Sequence, residues 1–112
     1  MRATSARMPV PAIKICGVTT AEALDATIAA RASDASANAS PSYTRKLLEN
    51  RNLRMKKIGE EAAELVLACA DADPERATSE AADLLYHTMV ALHALGIRLS
   101  DVREELSRRG RE

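Results

Sequence analysis

Aromatic side chains are nearly missing: among 112 residues there are two tyrosines, no tryptophan and no phenylalanine. Alanine, leucine, valine and isoleucine carry the apolar content instead, a composition that suits packed helices and disfavours a β-sandwich. Net charge is missing too. Sixteen Lys and Arg balance sixteen Asp and Glu, so there is no overall basic field and no nucleic-acid partner is expected. Cysteine is scarce: Cys16 and Cys69 stand far apart, with no CxxC spacing. Cys69 lies in an apolar helical run, so the expectation is a reduced, buried thiol and a cytoplasmic location. No apolar run approaches the roughly 18 residues of a membrane span, so no membrane partner is expected. The opening "MRATSARMPVPAIKICG" is basic and free of acids, but Pro9, Pro11 and Lys14 interrupt it, which makes a poor signal peptide. A chain of this length forms one domain at most, with a modest core.

What is present reads as helices. Residues 1–20 have no clear pattern and are expected to form an irregular arm, followed by a single domain over 21–112. "AEALDATIAARA" (21–32) has Ala21, Leu24 and Ile28 at near 3/4 spacing. "SDASANASPS" (33–42) reads as a loop, and Ser42 can cap a short helix through "YTRKLLEN". The basic stretch "RNLRMKK" then runs into a long helix expected to end near Asp71. "DADPERA" is a turn, with Pro74 suited to the first helical position. A second long helix is expected from about Glu75 to Leu95, stopped by Gly96. The last element, "SDVREELSRR", is expected to start with Ser100 as cap, with Glu104 nearby. No segment shows sustained period-two alternation. The expected fold is all-α: two long antiparallel helices plus shorter flanking ones.

The segment "GEEAAELVLACA" (59–70) opens with three acids and then turns apolar. At about 100° per residue, Glu61 lies about 100° and Glu64 about 40° from Glu60, so the three share one stripe. Ile58, Ala62, Leu65 and Cys69 fall on roughly the opposite face. Below the acids the helix is apolar around most of its circumference, which implies burial on more than one side. The second long helix repeats the design: Glu80 and Asp83 are three apart and lead into "LLYHTMVALHAL". Two antiparallel helices joined by a short turn can bring Glu60, Glu61 and Glu64 opposite Glu80 and Asp83. Five carboxylates in a partly buried space repel one another and are expected to carry raised pKa values. A divalent cation relieves this, and oxygen ligands in such number suit Mg²⁺, with Mn²⁺ as an alternative. The competing reading is a solvated acidic face, with Lys56 and Lys57 forming ordinary surface pairs.

"SYTRKLL", "KKIGEEAAELVLAC", "EAADLLYH" and "LGIRLSDVREELSRR" together resemble the phosphoribosyl-ATP pyrophosphohydrolases, the second enzymes of histidine biosynthesis. Those belong to the MazG-like all-α nucleotide pyrophosphohydrolases, whose signature is EExxE followed by ExxD. The resemblance runs from about residue 22 to residue 109. It implies that Glu60, Glu61, Glu64, Glu80 and Asp83 hold Mg²⁺, and that the substrate is phosphoribosyl-ATP, cleaved to phosphoribosyl-AMP and pyrophosphate. Magnesium would neutralise the triphosphate, polarise the attacked phosphorus and acidify a bound water. A carboxylate not fully engaged by metal, Glu60 or Glu61, would be the general base. Lys57, in the family's KxGEE position, is the first candidate for a phosphate contact, followed by Lys56, Arg54, Arg51 and Lys46. This chain reads "LLENRNLRMKK" where the family more often has a lysine-glycine pair after the leucines. Tyr43 and Thr44 would touch the base or ribose, or only start a helix. His87, one turn beyond Asp83, would bond a ligand carboxylate or simply pack.

"IKICGVTTAEALDA" (13–26) also resembles the first strand and loop of phosphoribosylanthranilate isomerase, a (β/α)₈ barrel whose cysteine in that motif is catalytic. A barrel needs more than about 200 residues and no later segment supplies strands, so Cys16 is given no catalytic role. A lone helical pair cannot cover the apolar circumferences counted above, so a homodimer completing a helical bundle is expected. The rival functions are a housekeeping pyrophosphohydrolase of other nucleoside triphosphates and a non-catalytic helical dimerisation module.

Overall fold

The computed structural model describes residues 20–33 and 42–110. The arm expected over 1–20, with Cys16, lies outside them except for Thr20, as does the loop expected over 33–42 except for its ends. Among the described residues five helices follow one another: α1 (Thr20–Ser33), α2 (Tyr43–Glu49), α3 (Arg51–Ala70), α4 (Pro74–His93) and α5 (Leu99–Arg109). Among the described residues there is no strand. The described residues are all-helical, in line with composition and periodicity.

The caps explain where the helices start. Ser42 Oγ accepts from the Arg45 N–H (3.1 Å), Asn50 Oδ1 from the Leu53 N–H (3.0 Å) and Asp73 Oδ1 from the Arg76 N–H (3.2 Å). Each satisfies one of the donors that a first helical turn leaves open. Asn50 adopts an extended backbone (φ −130°, ψ 97°) and separates α2 from α3. Arg54 closes that corner by donating to the carbonyls of Leu47 (3.1 Å) and Leu48 (2.8 Å) at the end of α2.

Two helices end in the same way. At the end of α4, Ile97 N–H returns to Leu92 C=O and Gly96 N–H to His93 C=O (both 2.9 Å), with Gly96 at φ 78°. At the end of α3, Asp73 N–H returns to Ala68 C=O (3.1 Å) and Ala72 N–H to Cys69 C=O (3.0 Å), with Ala72 at φ 52°. This is the Schellman pattern, which demands a left-handed residue. Glycine supplies it after α4, but alanine must supply it after α3, at a cost of about 1–2 kcal/mol in backbone sterics. Ala72→Gly removes that strain and costs back about 0.4–1 kcal/mol in unfolded-chain entropy. The expected outcome is a net gain of about 0.5 kcal/mol, seen as a melting temperature a few degrees higher by calorimetry. An unchanged or lower value would show that Ala72 carries no strain.

Packing is dominated by α3 against α4, which the three-residue connection 71–73 joins. Arg76 on α4 ties the turn by an ion pair to Asp71 (3.0 Å). The apolar core lies at the other end of α4, where Tyr86, Met89 and Val90 meet Leu24 and Ile28 of α1 and Leu47 of α2. Helix α5 is held to α1 by polar links: Asp25 takes the Arg98 guanidinium (2.8 Å) and the Leu99 N–H (3.4 Å), and Glu22 pairs with Arg103.

Two expectations need correcting. The last helix begins at Leu99, and its cap is Arg98 in place of Ser100; Asp101 Oδ2, not Glu104, accepts the Arg98 N–H (2.8 Å). Asp25 fixes Arg98 and Leu99 from α1, and a local pattern could not show this. Cys69, expected buried, is exposed. Helix α3 turns Glu61 and Ala68 inward, and Cys69 lies about 100° further round the helix than Ala68. Within one chain, then, α3 is buried on one side only, and Met55, Val66 and Leu67 stand exposed on it.

Candidate metal centre

The buried face of α3 is the acidic one. Glu61 is 3% exposed and Glu64 half-buried, and across the seam Glu80 of α4 is fully buried. Carboxylate oxygens of Glu61, Glu64 and Glu80 all lie within 4.8 Å of one another. Glu61 and Glu64 are neighbours because they are three apart on one helix. Glu80 joins them because the short turn fixes the register of α4 on α3.

The other two acids are not members of this trio. Asp83, one turn past Glu80, is buried at 5% exposure. Glu60 lies at the rim with its side chain 44% exposed, paired with Lys56 (3.7 Å) and Lys57 (3.2 Å). Lys57 also reaches Glu61 Oε1 (3.5 Å), and its side chain is only 12% exposed. Burial alone opposes its charge, but the hydrogen bond to Glu60 and the nearby Tyr43, Glu60 and Glu61 outweigh it, so the ammonium titrates above its ordinary value.

The remaining candidates fall into distinct places. Lys56 is largely solvated, with its side chain 70% exposed. Arg51 and Lys46 are exposed, and Arg54 is engaged on the α2 carbonyls. Thr44 is buried and bonds the Tyr86 hydroxyl. Burial raises the Tyr86 pKa, and the Thr44 bond only partly offsets it. Tyr43 stacks on Tyr86, its ring centroid 6.3 Å away, and its hydroxyl is 3.0 Å from His87 Nε2. Burial likewise raises the Tyr43 pKa, against the pull of Lys57.

His87 was expected either to bond a ligand carboxylate or to pack; it is buried and packs edge-on against the rings of Tyr43 and Tyr86, and it also has two hydrogen-bond partners. Its Nδ1 lies 2.8 Å from the backbone carbonyl of Asp83, which can only accept, so Nδ1 carries the hydrogen. In the neutral ring Nε2 is then an acceptor, and Tyr43 donates to it. The adjacent pair Tyr43–Thr44 on α2 therefore meets the adjacent pair His87–Tyr86 on α4. Sequence reasoning missed this pairing; its only trace was that "SYT" and "DLLYH" both belong to the family resemblance.

The donor set suits a hard cation. An octahedral Mg²⁺ with ligands at about 2.1 Å spaces its oxygens about 3–4 Å apart, which the trio reaches with small side-chain adjustments. Glu61 Oε2 is buried and accepts no hydrogen bond, a costly state for a carboxylate oxygen unless something cationic meets it. The residues present fit the group.

The described residues thus form an all-helical fold with a largely buried carboxylate trio between α3 and α4, a donor set able to hold a divalent cation. The family model for phosphoribosyl-ATP pyrophosphohydrolase matches residues 21–110, and the chain belongs to that family. It is 47% identical to the phosphoribosyl-ATP pyrophosphatase of Azorhizobium caulinodans, over 80% of this chain and 80% of that one. It is 46% identical to the phosphoribosyl-ATP pyrophosphatase of Bordetella parapertussis, over 74% of this chain and 73% of that one. The histidine biosynthesis bifunctional protein HisIE of Prochlorococcus marinus is 54% identical over 61% of this chain, but the match spans only 31% of that longer protein.

Proposed function

We propose that this chain is a Mg²⁺-dependent phosphoribosyl-ATP pyrophosphatase of histidine biosynthesis, releasing phosphoribosyl-AMP and pyrophosphate in the cytoplasm. The observation that carries the metal part is the carboxylate trio of Glu61, Glu64 and Glu80, together with the buried Glu61 Oε2, which accepts no hydrogen bond. Asp83 and Glu60 complete the set of five, one from the buried end and one from the rim. The chemistry that such an ion supplies when bound is charge neutralisation along the triphosphate and Lewis acidity at the attacked phosphorus.

The chain's own residues do the rest. Glu60 lies outside the trio and is partly solvated, so it is the better placed of the two candidate bases to orient a water and take its proton. Lys57 offers an ammonium beside the trio for a phosphate oxygen. Tyr43 is held by His87 at the edge of the site and offers its remaining oxygen lone pairs to the sugar or base. A homodimer belongs to the same proposal. Met55, Val66 and Leu67 on α3 and Leu85 on α4 are large apolar residues open to solvent in one chain, and a second copy would cover them.

Pyrophosphate release from phosphoribosyl-ATP, compared with dCTP and dUTP, tests the reading. The expected preference in kcat/KM is about a hundredfold or more, with activity lost in EDTA and restored by Mg²⁺. Equal turnover of dCTP would shift the assignment to a housekeeping pyrophosphohydrolase. No turnover of any of the three, with no response to metal, would leave a dimerisation module.

A further inference from the structure

Within the metal site there is already a cation. Lys57 lies one turn before Glu61 on the same face of α3, with its Nζ 3.5 Å from Glu61 Oε1 and 3.2 Å from Glu60 Oε2. Its neighbour Lys56 reaches Glu60 alone, at 3.7 Å, with 70% of its side chain exposed. The contrast matters: one lysine decorates the surface, while the other lays its stem along the protein and puts its ammonium on a carboxylate that is itself 3% exposed. Only one oxygen of Glu61 is met in this way, for Oε2 accepts no hydrogen bond.

We propose that Lys57 is the resident counter-ion of the metal-free site, which a divalent cation must displace from Glu61, and which is thereby released toward the substrate's phosphates. This rests on the metal reading given above and extends it. A dication bound by Glu61 and an ammonium 3.5 Å from the same carboxylate would stand a few ångströms apart in a seam with little water, where like charges repel strongly. The two cannot share Glu61 without cost. Lysine suits the task better than arginine, because a compact charge on four rotatable bonds can swing from one partner to another, whereas a planar fork locks into one. Glu60, at the rim, gives the displaced ammonium an intermediate foothold.

Two consequences follow from the electrostatics. Mg²⁺ alone binds less tightly than the bare carboxylates would allow, because Lys57 competes for them. A phosphate oxygen offers the displaced ammonium a new partner, so metal and substrate favour one another's binding, and the coupling is reciprocal.

Titration calorimetry of Mg²⁺ into the full chain without nucleotide, for the wild type, K57Q and K57R, tests this. The expected result is that K57Q binds Mg²⁺ about tenfold more tightly than the wild type. In EDTA its melting temperature is lower, and its KM for phosphoribosyl-ATP is raised by about tenfold or more. K57R keeps the charge and binds Mg²⁺ within about twofold of the wild type. Should K57Q fail to fold, K57M preserves the stem's packing and gives the same comparison. A wild type that binds Mg²⁺ and a K57Q or K57M that binds it no more tightly would overturn the displacement. A wild type that binds no divalent ion at all would remove the metal reading on which it stands.

Discussion

E80Q is expected to lose nearly all turnover while making the metal-free protein more stable. Glu80 is fully buried and contributes the α4 oxygen to the trio. A ligand that stabilises developing charge through a divalent ion is worth several kcal/mol in the transition state, so kcat/KM should fall by about 10³-fold or more. The stability effect has the opposite sign. Three carboxylates within 4.8 Å of one another repel when no dication is present. Replacing one by an isosteric amide at mildly alkaline pH should raise unfolding free energy in EDTA by about 1–2 kcal/mol. Mg²⁺ should then stabilise the wild type and not the variant. Urea melts with EDTA and with Mg²⁺, set beside a pyrophosphate-release assay, read all three quantities. A variant that is active, or that Mg²⁺ still stabilises as it does the wild type, would show that Glu80 is a buried structural acid and not a ligand.

In the proposed homodimer, V66E is expected to leave a folded monomer. Val66 is 66% exposed in the single chain, on the side of α3 away from the acid trio, next to Leu67 and along the same stripe as Met55. A symmetric interface over this face would bury the substituted position twice. Each copy would have to desolvate a carboxylate without a partner, at several kcal/mol per site. The dissociation constant should therefore rise by about 10³-fold or more. Because the residue is exposed within one chain, helix content and the α3–α4 seam should survive. Sedimentation equilibrium gives the mass, and circular dichroism shows whether the helices persist. A wild type that is monomeric at micromolar concentration, or a V66E dimer as tight as the wild type, would place the contact elsewhere.

Much of the fold could be read before the structure. Scarce aromatics and 3/4 apolar spacing implied helices; Ser42 at a helix start and Gly96 at a helix end were read correctly from chemistry that acts within a few residues. Five acids, Glu60, Glu61, Glu64, Glu80 and Asp83, stood out for the same reason, since helical periodicity fixes which side chains share a stripe, but it could not single out the three whose oxygens converge. What stayed hidden depended on distant partners. Arg98 in place of Ser100 caps α5 because Asp25, 73 residues earlier, takes the arginine's guanidinium. Arg54 was a weaker candidate than Lys57 for a phosphate contact, and nothing local showed that its Nη1 would donate to two carbonyls at the end of α2. His87 and Tyr43 are 44 residues apart, and no local rule joins them.

The sequence by itself determined that this protein is helical and that five acids lie on two adjoining helices. Periodicity and capping are local, and the chain carries them wherever it goes. The rotation of α3 about its own axis was decided by tertiary packing. Spacing gives the angles between Glu60, Glu61 and Glu64, but only the docking of α4 selects which of them faces the seam. That docking turned Glu61 and Glu64 inward to meet Glu80, left Glu60 at the rim, drew Lys57 onto Glu61, and exposed Val66, Leu67 and Cys69 on the side away from α4.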